Sequence, residues 1–163
     1  GPPGVEYCDI MGAQHEIPLM VSAYQKGIRN YDVDKAYEAV KKTLTTQGTA
    51  LSSGGIVGNR HLDVYLKYGF VPYGEKSHHN VFGTTYEGPT SNTLEYAFDD
   101  WNAAQFAKAL GYEEDYDYFT RRAYNYKNVF DSETKYVRPK YSDGTWMPDF
   151  EPINKDEHST SWS

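Results

Sequence analysis

Three residues on one predicted helix carry the most pointed chemistry in this chain. At 100° per residue, Glu95, Asp99 and Asn102 fall on one side of a helix predicted from about Asn92 to Leu110, closed by Gly111. The remaining positions are mostly apolar (Leu94, Ala97, Phe98, Trp101, Ala103, Ala104, Phe106, Ala107, Ala109, Leu110), a pattern that predicts burial on most sides. Burying a carboxylate is costly unless it is paired or hydrogen-bonded, so a polar stripe on such a helix is expected to face a cavity or a partner. A carboxyl in that setting is a candidate general acid, because desolvation favours its protonated form. Glu95 also admits a structural reading. Asn92-Thr93-Leu94-Glu95 has the Asn-x-x-Glu spacing of a capping box, in which the glutamate folds back to close its own helix start. Spacing alone leaves both readings open. Asp99 and Asp100 read as structural groups, bonded to loops or to a nearby Arg.

Other chemistry-bearing residues fall away on spacing. His15-Glu16 opens like a zinc-protease motif, but Leu19 stands where the second His is required; His15 reads as a polar residue closing a helix start. His78-His79 has no second ligand group at zinc spacing and reads as solvated. Gly54-Gly55-Ile56-Val57-Gly58-Asn59-Arg60 lacks the Gly-Lys-Ser/Thr ending of a phosphate loop and reads as a flexible turn. Asp143-Gly144 is a turn signal without the acid spacing of a calcium loop.

The elements that must position these residues are helical. Residues 1–11 read as irregular. A helix is predicted from Glu16 to Ile28, with Pro18 in its first turn. A second starts at Asp32 as N-cap and presents Val33, Tyr37, Val40 and Leu44 on one face. Residues 46–59 read as loop, Arg60–Tyr68 as a short helix ended by Gly69, and 70–90 as a long loop. A last helix, Glu113 to Phe130, is expected to bury Tyr116, Phe119, Ala123, Tyr126 and Phe130, with Arg121, Arg122 and Lys127 toward its C-terminal end. Tyr136–Pro139 and Thr145–Met147 flank a Ser142-Asp143-Gly144 turn and suggest a small hairpin or ordered loop. Paired helices with long loops and no sequence repeat suit a bundle or part of an α/α toroid.

Composition narrows the function classes. A net charge of −7 argues against nucleic-acid binding. No run of about 18 apolar residues exists to span a membrane. The single Cys8 excludes an internal disulfide framework. Sixteen Tyr, seven Phe and three Trp make 16% of the chain, and rings with polar edges suit either a satisfied core or sugar contact.

Longer motifs add a resemblance. Glu87-Gly88-Pro89-Thr90-Ser91-Asn92-Thr93-Leu94-Glu95-Tyr96-Ala97-Phe98-Asp99-Asp100-Trp101 resembles a signature of glycoside hydrolase family 92, the calcium-dependent α-mannosidases. So do Ala23-Tyr24-Gln25-Lys26-Gly27-Ile28-Arg29-Asn30-Tyr31-Asp32 with Ala36–Ala39, then Tyr65–Pro72, Asn125–Asp131, Arg138-Pro139 and Asp143–Trp146, in the same order along nearly the whole chain. The resemblance implies an all-α fold in which residues 1–163 are a fragment of one (α/α)6-toroid glycosidase domain. It implies exo-acting, inverting hydrolysis of terminal α-linked mannose from glycans, with Glu95 as general acid. It implies a calcium ion that binds the mannose, with ligands mainly outside this chain, and the remainder of the parent catalytic domain as a partner. The base aspartates are expected downstream and a mannose-gripping segment upstream, so the chain reads as an excised middle, inactive alone. Substrate contacts carry over to Gln14 and His15, where the family usually has Gly-Asp-His and this chain reads Gly12-Ala13-Gln14-His15. Secretion or a periplasmic location is implied too. A non-catalytic glycan-binding helical module, and a glycosidase of another α/α-toroid family, are the alternatives.

Overall fold

The computed structural model describes residues 14–50, 56–74 and 88–151. Their elements are α1 (Glu16–Gln25), α2 (Val33–Thr45), β1 (Thr49–Ala50), β2 (Ile56–Val57), α3 (Leu62–Tyr68), α4 (Pro89–Leu110), α5 (Glu113–Ala123), a 3-10 helix (Tyr124–Val129), β3 (Phe130–Asp131) and β4 (Tyr136–Val137). The predicted all-α class holds: among the described residues helices dominate, and the strands form two antiparallel two-residue ladders, β1 with β2 and β3 with β4. The expectations for residues 1–11, for His78-His79 and for most of the 70–90 loop lie outside the described residues.

α4 is the axis of the fold and touches α1, α2, α5 and the 3-10 helix. Its small Ala103, Ala104 and Ala107 let those elements approach closely, and Phe106 fills the space between them. The Phe106 ring meets Tyr24 at 5.1 Å and the Tyr37 ring edge-on at 5.6 Å. Ile17, Val21, Val40, Leu44 and Phe119 complete this core, each such side chain contributing about 1.5–3 kcal/mol by leaving water. A second cluster of Leu62, Val64, Tyr65, Val71 and Tyr96 packs α3 against the first half of α4.

The helix ends follow local chemistry. Asp32 accepts the Lys35 amide at 3.0 Å and starts α2 as predicted. Gly69 and Gly111, both left-handed, end α3 and α4 where predicted. α1 stops at Gln25, three residues earlier than expected, because Gly27 turns left-handed and the Ile28 amide closes back on the Ala23 carbonyl at 3.0 Å.

Three further corrections concern α4, α5 and the 46–59 loop. α4 starts at Pro89, ahead of Asn92: Gly88 is its N-cap, Pro89 fits the first turn, and the Asn92 amide donates to the Gly88 carbonyl at 2.8 Å. It is also less buried than expected, with Phe98 48% and Trp101 50% exposed. These two share a stripe with Leu94 and Gln105, on the side of α4 away from the core alanines. The predicted helix to Phe130 ends as α-helix at Ala123 and tightens into the 3-10 helix, leaving Tyr126 and Phe130 exposed. Residues three apart eclipse in a 3-10 helix, so Asn125 and Asn128 both reach Gly69, whose carbonyl accepts from Asn128 Nδ2 at 2.8 Å. Within 46–59 the chain pairs Thr49 with Val57 and Ala50 with Ile56 instead of remaining pure loop.

The expected ordered segment after β4 is present. Lys140 bridges Trp146, and the Tyr141 amide donates to the Thr145 carbonyl at 2.8 Å. Arg138 anchors it to β3 through an ion pair with Asp131 at 2.6 Å.

Candidate active site

Glu95 lies seven residues beyond the Gly88 N-cap, two turns inside α4. The capping-box reading fails on that register. Asn92 is an interior helical residue whose amide is already bonded, so there is no helix start for Glu95 to close. Glu95 is half-buried, and among the described residues its carboxyl takes part in no hydrogen bond or ion pair.

The polar stripe around it is otherwise committed. Asn102 Nδ2 donates to the Phe98 carbonyl at 2.9 Å, and Asn92 Nδ2 to the Gly88 carbonyl at 3.0 Å. Asp99 is fully buried, and its Oδ2 accepts the Gln14 amide at 3.0 Å. Burial pushes the Asp99 carboxyl up to about 8; the Gln14 amide opposes the rise, while Asp100, Glu95 and Glu16 add to it as like charges. Asp99 is therefore a neutral acid at pH 7.

Asp100 points into the opposite side of α4 and pairs with Arg122, as expected of a structural aspartate. Arg122 Nη2 lies 2.8 Å from Oδ1 and Nε 3.1 Å from Oδ2, and the Tyr65 hydroxyl donates to Oδ2 at 2.8 Å. Burial raises the Asp100 carboxyl above the ordinary carboxylate range, and the Arg122 guanidinium and Tyr65 hydroxyl oppose that rise. Arg122 Nη1 also donates to the Leu44 carbonyl at 2.8 Å and to the Tyr118 hydroxyl at 3.2 Å, so one guanidinium ties α2, α4 and α5 together. Counting Arg122 among the charges toward the end of a helix missed this. Its spacing from Phe119 and Ala123 places it on the buried face of α5, and that signal was available.

Of the residues predicted to form the site, Gln14 comes to Asp99, one turn past Glu95. It is 6% exposed, a packed residue held by its backbone. His15 is exposed, at the N-cap position of α1, and makes no side-chain cap bond. On the neighbouring face, the Tyr96 hydroxyl accepts the His61 amide at 3.3 Å. Burial, helped by Arg60, pushes the His61 imidazole down to about 3, so it is neutral at physiological pH.

Among the described residues, no group of three or more His, Cys, Asp or Glu side chains is arranged to hold a metal ion. Glu16 and Glu95, the glutamates that act on Asp99, do not make a calcium site with it. Among the same residues, no helix is long and apolar enough to cross a membrane.

Known proteins share this fold. The family model of the glycosyl hydrolase family 92 catalytic domain matches residues 3–163. A family GH92 inverting mannosidase of Bacteroides thetaiotaomicron superimposes with a TM-score of 0.75 at 31% identity, over 91% of this chain and 18% of its own. A family GH92 alpha-mannosidase of the same bacterium gives 0.69 at 34% identity, over 87% of this chain and 16% of its own. The latter has also been solved in complex with mannoimidazole. An uncharacterized secreted glycosidase of Arthroderma benhamiae is 29% identical over 141 residues, 78% of this chain and 17% of that protein. The chain thus spans less than a fifth of the length of these relatives, and over that span it belongs to glycoside hydrolase family 92.

Proposed function

We propose that this chain forms the proton-donating part of an exo-acting α-mannosidase site, with Glu95 as general acid. The observation that carries the proposal is the setting of Glu95: two turns inside the central helix, half-buried, with a carboxyl committed to no described partner. In an inverting glycosidase one carboxylic acid protonates the departing glycosidic oxygen, and a second carboxylate roughly 6.5–9.5 Å away activates water on the opposite face of the sugar. Glu95 takes the first role. The base, and most of the surface that grips a terminal mannose, belong to the rest of the parent domain, which completes the helical toroid around α4. His15, exposed at the start of α1, takes the role of a substrate contact; Gln14, 6% exposed and held through its backbone, supports that segment from inside. Calcium enters on family grounds, with ligands from beyond the described residues; no step here runs through it. The secreted fungal relative supports export of the parent protein, to the periplasm or the medium.

The test is Glu95→Gln in the full-length protein. Turnover of a mannose disaccharide should fall at least ~100-fold, the usual scale for losing general acid–base help. The fold should survive, and a substrate whose leaving group needs little protonation should suffer less. Near-normal turnover of the disaccharide would refute the assignment.

A further inference from the structure

Asp99 and Gln14 form a junction between parts of the chain 85 residues apart. Asp99 Oδ2 receives the Gln14 amide at 3.0 Å, inside the protein, and Oδ1 has no partner among the described residues. The Gln14 carbonyl accepts the Ile17 amide at 2.8 Å, so the same residue also starts α1. Residues four apart share a helix face, which sets Glu95 one turn from this junction. Among the described residues, the titratable groups that act on Asp99 are acids: Glu95 and Asp100 on its own helix, and Glu16 from α1.

We propose that Asp99 is a positioning residue: its carboxyl holds the Gln14–His15 segment at one setting beside Glu95. The catalytic half of this inference rests on Glu95 being the acid. Protonated below pH ~8, Asp99 accepts the amide without adding a further charge beside Glu95 or Glu16. The residue is thus an uncharged strut: its acceptor oxygen does the holding, and ionising it adds only repulsion toward Glu16 and Glu95.

The geometry and the kinetics are read separately, in the full-length protein. Amide hydrogen exchange at Gln14 should speed up in Asp99→Ala and return toward the wild-type rate in Asp99→Asn, which keeps an acceptor oxygen in place. On a mannose disaccharide, Asp99→Ala should lower kcat/KM at least ~10-fold, because a small displacement near the reacting groups is costly, and Asp99→Asn should recover most of the loss. The Asn variant should also lack the part of the alkaline fall in activity that comes from Asp99 ionising near pH 8. Asp131→Asn, in the β3–β4 hairpin, serves as a control for general destabilisation: it should lower Tm and leave the pH profile in place. Unchanged Gln14 exchange in Asp99→Ala would overturn the inference. So would an Asn variant as damaged as the Ala variant in both measurements. If instead Glu95→Gln proves harmless, the acid assignment falls, and hydrogen exchange still reads the Asp99–Gln14 junction on its own.

Discussion

Replacing Asp100 with Ala tests how the core is held. The substitution removes a carboxylate with no exposed surface and leaves the Arg122 side chain, 9% exposed, without its counter-charge. Two contacts to the guanidinium, at 2.8 and 3.1 Å, disappear together with the 2.8 Å bond from Tyr65. Breaking a buried pair from one side costs about 3–5 kcal/mol, because the remaining charge is uncompensated. Pairing the change with Arg122→Met should recover part of the loss, since both charges then leave. Recovery should stop short of wild type by about 1–3 kcal/mol, because the Leu44 carbonyl, now bonded to Arg122 Nη1, is left buried without its donor. Urea denaturation of the two single variants and the double variant gives the cycle. A loss below 1 kcal/mol for Asp100→Ala, or a double variant no better than the worse single one, would show that this pair does not join the helices as described.

Two further predictions follow from particular groups. The unfolded Asp99 ionises near 3.8 and the folded one near 8, so its stabilising effect is full below about pH 4 and is lost as pH rises toward 8. Asp99→Asn lacks this loss, so its stability relative to wild type should improve by up to ~1.4 kcal/mol per pH unit across that window; parallel curves of Tm against pH would contradict it. Gly69 holds φ +74, and an added Cβ would lie 2.9 Å from Asn128 Nδ2, the donor to the Gly69 carbonyl. Gly69→Ala should therefore cost about 1–2 kcal/mol for the left-handed backbone alone, with the Asn128 contact adding to it, read by chemical denaturation; a neutral effect would refute the backbone strain assigned to this position.

The sequence was most readable where structure is local. Asp32 before an apolar period, and Gly69 and Gly111 after one, mark helix ends because a side-chain acceptor or a missing Cβ acts within four residues of itself. Pro89 offered a similar signal for the start of α4, but the Asn92–Glu95 spacing mimicked a cap and drew the boundary inward. The tightening at Tyr124 was not readable, because six residues do not separate a period of 3.6 from one of 3.0. The exposure of Phe98 and Trp101 was hidden for another reason: an apolar residue does not announce which neighbour covers it. At the candidate site, the position of Glu95 inside a largely apolar helix is legible in the sequence, while its role as acid comes from the resemblance alone. The Asp99–Gln14 bond was not, because 85 residues separate the two and nothing local to either one points to the other.

The early start of α4 decides how steadily a proton donor can be aimed. The ends of helices fray, and a carboxyl mounted in the first turn would swing with that motion. Gly88 and Pro89 give the loosest turn to residues before Glu95, which stands about 10 Å further along the axis at 1.5 Å per residue. Thr93 braces that first stretch from the side, since its Oγ1 receives the Val71 amide at 2.9 Å and donates to the Pro89 carbonyl at 2.8 Å. What remains free at position 95 is rotation about the side-chain bonds, so the carboxyl swings on a short arm from a well-braced pivot.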